Sequence, residues 1–328
     1  MNNRDDASMT HCCADCGKEE GGVVNLKACK SCMDVKYCDT TCQHKHWPKH
    51  KKECKLRAAE LRDEALFKDP PPKEECPICF IPMPVNIFAC ASLPPATIWS
   101  VPIYDLAKAN PEMAKNDMQE YYPCCGKHIC RGCSYSFYES GNNNRCPFCN
   151  SDRSSKTVEE EVEELMKRVE ANDAGAVCQL GSYYYDGLKG FPQDLAKAME
   201  LYAKAADLGP SKAHYNMADV YYKGGDLKKA KFHIEAAAMA GDDVARTNIG
   251  IMESKSGNRE RAIKHWTIAA SAGNYTSMYN LLVSLNEGSV SRESINSTLA
   301  AYNNSCVEMR SEARDAYIQV EIDNPDYE

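Results

Sequence analysis

Asp194–Gly209 reads DLAKAMELYAKAADLG, and the pattern returns as DLKKAKFHIEAAAMAG in Asp226–Gly241 and as NRERAIKHWTIAASAG in Asn258–Gly273. The three segments begin 32 residues apart. Each opens on an Asp or Asn, which can cap a helix, and carries paired alanines that let helices approach closely. Each closes on a glycine, which can end a helix. Because a fixed period is typical of stacked repeats, we expect helix pairs forming an all-α solenoid over residues 172–306.

The repeats resemble the Sel-one-like repeats, which are relatives of the tetratricopeptide repeats. The resemblance includes a degraded fourth unit and implies a concave face for an extended peptide or another solenoid, and no residue of the sequence identifies the partner. Ahead of the repeats we expect a linker and a capping helix over 150–171, because the apolar residues of Val162–Val169 follow helical spacing. A C-terminal helix and tail are expected over 307–328.

The composition indicates a soluble protein of a reducing compartment. Of the 328 residues, 43% are hydrophobic and 26% are charged, and the net charge of −8 disfavours a general binder of nucleic acids or anionic membranes. Residues 1–12, expected to be disordered, contain no apolar run of signal-peptide length, so we expect a cytoplasmic or nuclear location. Eight of the 19 cysteines lie before residue 55 and nine lie between 76 and 149. In a reducing compartment such clusters are typical of metal sites rather than disulfides.

The first cysteine cluster has the ligand pattern of two closed zinc sites. Its candidates come in four close pairs: Cys13 and Cys16, Cys29 and Cys32, Cys38 and Cys42, His50 and Cys54. Thiolate and imidazole donors without a carboxylate are typical of structural zinc. The cluster closely resembles the MYND zinc finger, including Tyr37, Gln43 and Trp47 beside the ligands.

The MYND resemblance implies interleaved sites over residues 13–54. One zinc would be held by Cys13, Cys16, Cys38 and Cys42, and the other by Cys29, Cys32, His50 and Cys54. The family also implies a proline-containing peptide as partner, beside Trp47. Cys12 and His46 could compete as ligands, but we expect both to be bystanders. Pro48 is expected to start the helix that carries His50.

A helix and a proline-rich linker are expected over residues 55–75, ahead of the second cysteine cluster over 76–149. This cluster contains the pairs Cys76 and Cys79, Cys130 and Cys133, and Cys146 and Cys149, together with Cys124, Cys125 and His128. A long insertion, 80–123, separates the first pair from the rest and carries Cys90, expected to be a buried thiol. The uncharged stretch Cys76–Tyr104 holds six prolines and cannot form a membrane-spanning helix.

The second cluster looks like a RING finger. The RING cross-brace would place Cys76, Cys79, Cys130 and Cys133 on one zinc. Cys146 and Cys149 would hold the other with two of Cys124, Cys125 and His128. We choose Cys125 and His128, with Cys124 as the alternative to either. The expected fold is therefore multidomain: two small zinc-stabilised cross-brace domains, MYND and RING-like, followed by an all-α solenoid of helix-pair repeats.

Two functions fit this organisation. A RING-type ubiquitin ligase has no nucleophile of its own and positions a charged conjugating enzyme, and the resemblance assigns Ile78, Pro147 and Phe148 to its docking surface. Active members often place an arginine just after the last ligand, where this chain has Asn150. The alternative is a scaffold that only binds proteins. A SET-type methyltransferase is excluded because the repeats leave no room for a β-rich catalytic domain. Either way, we expect no catalytic residue and four structural zinc ions as the only cofactor.

Overall fold

The computed structural model describes residues 12–21, 25–83, 118–142, 145–153, 155–209 and 211–323. Cys90, most of the 80–123 insertion and residues 1–11 lie outside these described residues. The chain divides into two compact units, residues 1–68 and 69–328, which are treated separately below.

The first unit consists of a short hairpin and one long helix. Strands β1 (Lys27–Ala28) and β2 (Lys36–Tyr37) pair antiparallel, and helix α1 spans Thr40–Leu66. The carboxylate of Asp39 caps this helix by accepting a 2.8 Å hydrogen bond from the Cys42 N–H. The expectation that Pro48 starts the helix is therefore wrong, because the cap lies more than two turns earlier and Pro48 lies inside. The helix expected in the linker is the continuation of α1.

The second unit begins with the second cysteine cluster, built on a hairpin and a short helix. Strands β3 (Gln119–Tyr122) and β4 (Lys127–Cys130) pair antiparallel and lead directly into helix α2 (Arg131–Phe137). A π-type turn, Tyr138–Asn142, follows α2.

From Val158 onward, the regular secondary structure of the described chain is all helical. Its helices are α3 (Val158–Glu170), α4 (Ala174–Asp186), α5 (Leu195–Asp207), α6 (Ser211–Lys223), α7 (Leu227–Met239), α8 (Asp243–Lys255), α9 (Arg259–Ser271), α10 (Tyr275–Asn286), α11 (Arg292–Glu308) and α12 (Glu312–Asp323). From α3 to α11, helices adjacent in sequence pack against each other, which is the arrangement of a helical solenoid. In the described part of the chain, no helix has the length and apolar character needed to cross a membrane.

The repeat residues perform most of the roles expected of them. Asp194 and Asp226 cap α5 and α7 by accepting N–H hydrogen bonds of 2.9 and 3.1 Å from the residues three positions later. The third expected cap is wrong. Asn258 stands at the N-cap position of α9 but makes no capping bond. Its amide instead donates to buried Glu253, at 2.7 Å.

Glycines in the first helix of two repeats admit an aromatic ring from the second helix. A Cβ at Gly181 would lie 2.7 Å from the Tyr202 ring, and one at Gly250 would lie 2.4 Å from Nε1 of Trp266. Any larger residue would push the helices apart. The apolar core of the solenoid forms around these contacts, with Tyr202 and Trp266 both buried.

Candidate metal centres

The described residues contain four groups of ligand atoms that could each hold a metal ion. In every group the four atoms lie within 4.8 Å of one another. The groups are Cys13, Cys16, Cys38 and Cys42; Cys29, Cys32, His50 and Cys54; Cys76, Cys79, Cys130 and Cys133; and Cys124, Cys125, Cys146 and Cys149. Both fingers therefore have interleaved ligand pairs.

The spacing of the ligand atoms fits tetrahedral zinc. A Zn–S bond of about 2.3 Å gives about 3.8 Å between two sulfurs of a tetrahedron. The Cys16–Cys38, Cys29–Cys54, Cys79–Cys130 and Cys125–Cys146 Sγ atoms lie 3.6, 3.7, 3.9 and 3.6 Å apart, respectively. Disulfide sulfurs would be about 2.05 Å apart, and every described cysteine is a free thiol. Closed S/N groups of this size fit structural zinc.

Each C-x2-C pair that begins a loop is shaped by the same backbone turn. The residue four positions after the first cysteine has a positive φ, and its N–H donates to the carbonyl of that cysteine. The four bonds run from Gly17 to Cys13, Met33 to Cys29, Phe80 to Cys76 and Asn150 to Cys146, at 2.8–2.9 Å. The turn directs both thiols of a pair to one side, so the ligand geometry is established locally.

Helix α1 supplies three ligands of the MYND groups. Cys42 lies in its first turn, while His50 and Cys54 lie one turn apart and therefore on the same face. Nε2 of His50 is 3.2 Å from Sγ of Cys32. His46 lies outside the ligand group, because its Nδ1 is 2.9 Å from the Tyr37 hydroxyl and its ring stacks on His50. Cys12 also lies outside both groups.

Backbone donors favour the thiolate that zinc requires. Burial opposes ionisation of Cys29, but hydrogen bonds from the Cys32 and Ser31 backbone, with His50, lower its pKa to about 6. Burial likewise opposes ionisation of Cys149, whereas Ser151 lowers its pKa to about 6. One thiol in each of these two groups is therefore favoured as the thiolate, whereas burial raises the pKa of Cys54 to about 12 and that of Cys124 to about 11.

His128 does not join the fourth group, which corrects our first choice of ligands. The structure brings Cys124, Cys125, Cys146 and Cys149 together, as in the alternative. Cys124 and Cys125 lie in the tip of the β3–β4 hairpin, whereas His128 lies within β4, opposite Tyr121. Its ring packs against Tyr121 at 4.8 Å between centroids and lies beside Gly175 of α4.

The residues assigned to partner binding differ in exposure. Ile78 is 39% exposed, and Trp47 is also exposed. Pro147 and Phe148 are half-buried, and the Phe148 ring packs edge-on against Tyr122. Phe80, which no sequence pattern indicated, is 74% exposed because the left-handed turn after Cys79 presents it to solvent.

The position after the last ligand has a geometric constraint. Asn150 has φ = 57°, a conformation that asparagine adopts more readily than most residues. Arg153, three residues on, is already engaged, since its guanidinium is 3.0 Å from Glu120 and lies over the Tyr122 ring at 4.4 Å.

Two sequence families account for the first finger and the repeats. Residues 13–54 match the family described as MYND finger. Residues 13–54 form a MYND finger. Residues 174–210, 211–242 and 249–274 match the Sel1 repeat. With the observed helix pairs, these matches confirm the zinc-finger and solenoid fold class. The RING resemblance of residues 76–149 rests on ligand spacing and geometry.

Among curated proteins, the chain is similar to SET domain and MYND-type zinc finger protein 6 of Schizosaccharomyces pombe. The two are 36% identical over 62 residues, which is 19% of this chain and 12% of the relative. Among solved structures, it is similar to a Sel1 repeat protein from Oxalobacter formigenes, with 21% identity, TM-score 0.42 and coverage of 58% of this chain and 74% of that one. It is also similar to c5321, a protective antigen of uropathogenic Escherichia coli with an SLR fold, with 18% identity, TM-score 0.37 and coverage of 58% and 44%.

Proposed function

We propose that this zinc-finger and Sel1-repeat scaffold is a RING-type ubiquitin ligase. In this proposal the second finger holds a charged conjugating enzyme, while the MYND finger and the repeats recruit the substrate. The supporting observation is an exposed apolar pair, Ile78 and Phe80, on a loop held by Cys76 and Cys79. Apolar side chains held rigidly in solvent are typical of docking surfaces.

Zinc in this proposal is structural. Four ions would each hold two chain segments together, and no open coordination position is left for substrate. The finger would act by positioning the conjugating enzyme, because holding that enzyme in one orientation lowers the entropic part of the barrier to ubiquitin transfer. Reduced thiolates are needed throughout, so the proposal requires a cytoplasmic or nuclear setting.

A specific observation favours the second candidate, a scaffold without transfer activity. Asn150 replaces the arginine that active ligases often use, and Arg153 is engaged with Glu120 and Tyr122. Proteins would then bind the MYND finger, beside Trp47, and the repeats, with no product released.

An autoubiquitination assay separates the two candidates. The zinc-loaded full chain is incubated with a panel of conjugating enzymes, next to the variant Ile78→Ala and the control Leu56→Ala, which truncates an exposed apolar residue on α1. Ligase activity predicts chains with at least one enzyme, retained in Leu56→Ala and lost in Ile78→Ala. No chains with any enzyme, from protein that retains its zinc, would leave only the scaffold.

A further inference from the structure

The second unit contains a cavity of about 1090 Å³ that no proposed role uses so far. It lies between the second finger, the segment 71–74 and the inner helices of the first repeats. Residues from α4, α6 and the start of α8 line it, including Tyr183, Tyr215 and Asn216. We call this cavity the repeat groove.

One end of the repeat groove is already occupied by a proline-rich segment of the chain itself. A Cβ at Gly241 would lie 3.1 Å from Cγ of Pro71, so the proline ring rests on the glycine that follows α7. Two residues on, Nζ of Lys73 is 3.2 Å from Oδ2 of Asp243, whose side chain is 3% exposed. The solenoid thus accepts an extended proline-containing segment at this repeat.

Among the described residues, none occupies the equivalent position in the preceding repeat. Gly209 stands 32 residues before Gly241 and also lines the repeat groove. Both glycines have positive φ, 115° and 98°. At Gly209, however, a Cβ would meet no atom of the described residues within 4 Å. In this part of the chain, the glycine surface that receives Pro71 therefore has a second, uncovered copy at Gly209.

The lining suits a polyproline helix. Three residues of such a helix make one turn and advance about 9 Å, so every third proline ring faces the same side. Tyr183 and Tyr215 supply aromatic surface, which is the usual contact for proline rings in recognition grooves.

We propose that the repeat groove binds a proline-rich extended segment of a partner protein, with a proline ring seated at Gly209. This deepens the recruiting role given to the repeats in the proposed function and rests on that role. Peptide binding is measured without ubiquitin transfer, so a failed ligase assay and a failed binding assay are distinguishable.

The test is a fluorescence-anisotropy titration of the full chain with fluorescein-labelled decaproline, with a Gly-Ser peptide of equal length as control. We expect saturable binding of decaproline alone. Tyr215→Ala should weaken it about tenfold, the effect of losing one central aromatic contact, and Tyr215→Phe should retain it. The matched control is Tyr222→Ala, also on α6 but exposed and outside the groove. Trp47→Ala reports any contribution from the MYND finger.

Two results would overturn the proposal. One is the absence of saturable decaproline binding. The other is binding lost in Trp47→Ala and unchanged in Tyr215→Ala. If Tyr215→Ala does not fold, hydrogen exchange of the unmutated protein, measured with and without decaproline, tests the proposal instead. Decaproline must then protect amides in Gly175–Tyr183 and Lys212–Asp219, and protection confined to residues 13–54 refutes the proposal.

Discussion

Replacing Arg314 by Met tests how the C-terminal helix α12 supports the second finger. The Arg314 side chain is fully buried. Its guanidinium donates to the carbonyls of Ile81, Pro82 and Met309 at 3.1, 2.8 and 2.6 Å, and to Sγ of Cys79 at 3.5 Å. The backbone of α12 packs closely against α2 here, because a Cβ added at Gly132 would lie only 2.6 Å from Cα of Arg314. Arg314 therefore links α12, the Cys79 loop and α2.

The expected cost of Arg314→Met follows from these contacts. A hydrogen bond from a charged donor contributes about 1.5–3 kcal/mol, and the contributions are not additive. Removing the donor leaves buried carbonyl groups unsatisfied, which costs about 1–3 kcal/mol, and we expect a loss of that size here. Groups that hydrogen-bond to metal ligands also change metal affinity by about 10–100-fold when removed. Zinc at the Cys76, Cys79, Cys130 and Cys133 group should therefore become the most labile.

The assay is zinc release to a chromophoric chelator, followed with time on the full chain. We expect one zinc of the Arg314→Met protein to transfer much faster than any zinc of the unmutated protein. The matched control is Arg310→Met, which removes an exposed ion pair with Asp315 and should cost less than about 1 kcal/mol. Identical release curves for the unmutated protein and Arg314→Met would show that Arg314 does not stabilise zinc at this group.

Three further predictions follow from the described contacts. Gly250→Ala should destabilise the protein by about 1–3 kcal/mol, because its methyl group would overlap the Trp266 ring; denaturant unfolding measures this, and an unchanged midpoint would contradict it. Burial lowers the pKa of His265 to about 4 from an ordinary value of 6.5. The contribution of neutral His265 to the free energy of unfolding should therefore be fully present above pH 6.5 and should fall by about 3 kcal/mol between pH 6.5 and 4. Acid-dependent unfolding curves measure this loss, and His265→Gln should remove it. Cys124→Ser should lose one zinc and His128→Gln should lose none, by metal analysis; the reverse outcome would restore His128 as a ligand.

The repeats and most ligands could be predicted because local spacing determines them. A period of 32 residues requires stacked units. Four of the C-x2-C pairs form local turns with one hydrogen bond each, which need no distant residue. The candidate ligands of the first finger followed from these pairs and from the i, i+4 placement of His50 and Cys54 on α1, whereas their division between two interleaved sites came from the MYND resemblance.

The failed expectations depended on geometry that spacing does not report. His128 stands three residues after Cys125, a plausible ligand spacing, but the β3–β4 register sets it opposite Tyr121. The Asp39 cap determines where α1 begins and leaves Pro48 inside the helix. The contact between Arg314 and the carbonyl of Pro82 joins residues 232 positions apart, which no local pattern encodes.

The most direct test of the account is the zinc content of the purified full chain, measured by inductively coupled plasma mass spectrometry. Four closed groups of ligands predict four zinc ions per chain. A content of two or fewer in folded protein would contradict the account of paired zinc sites in both fingers.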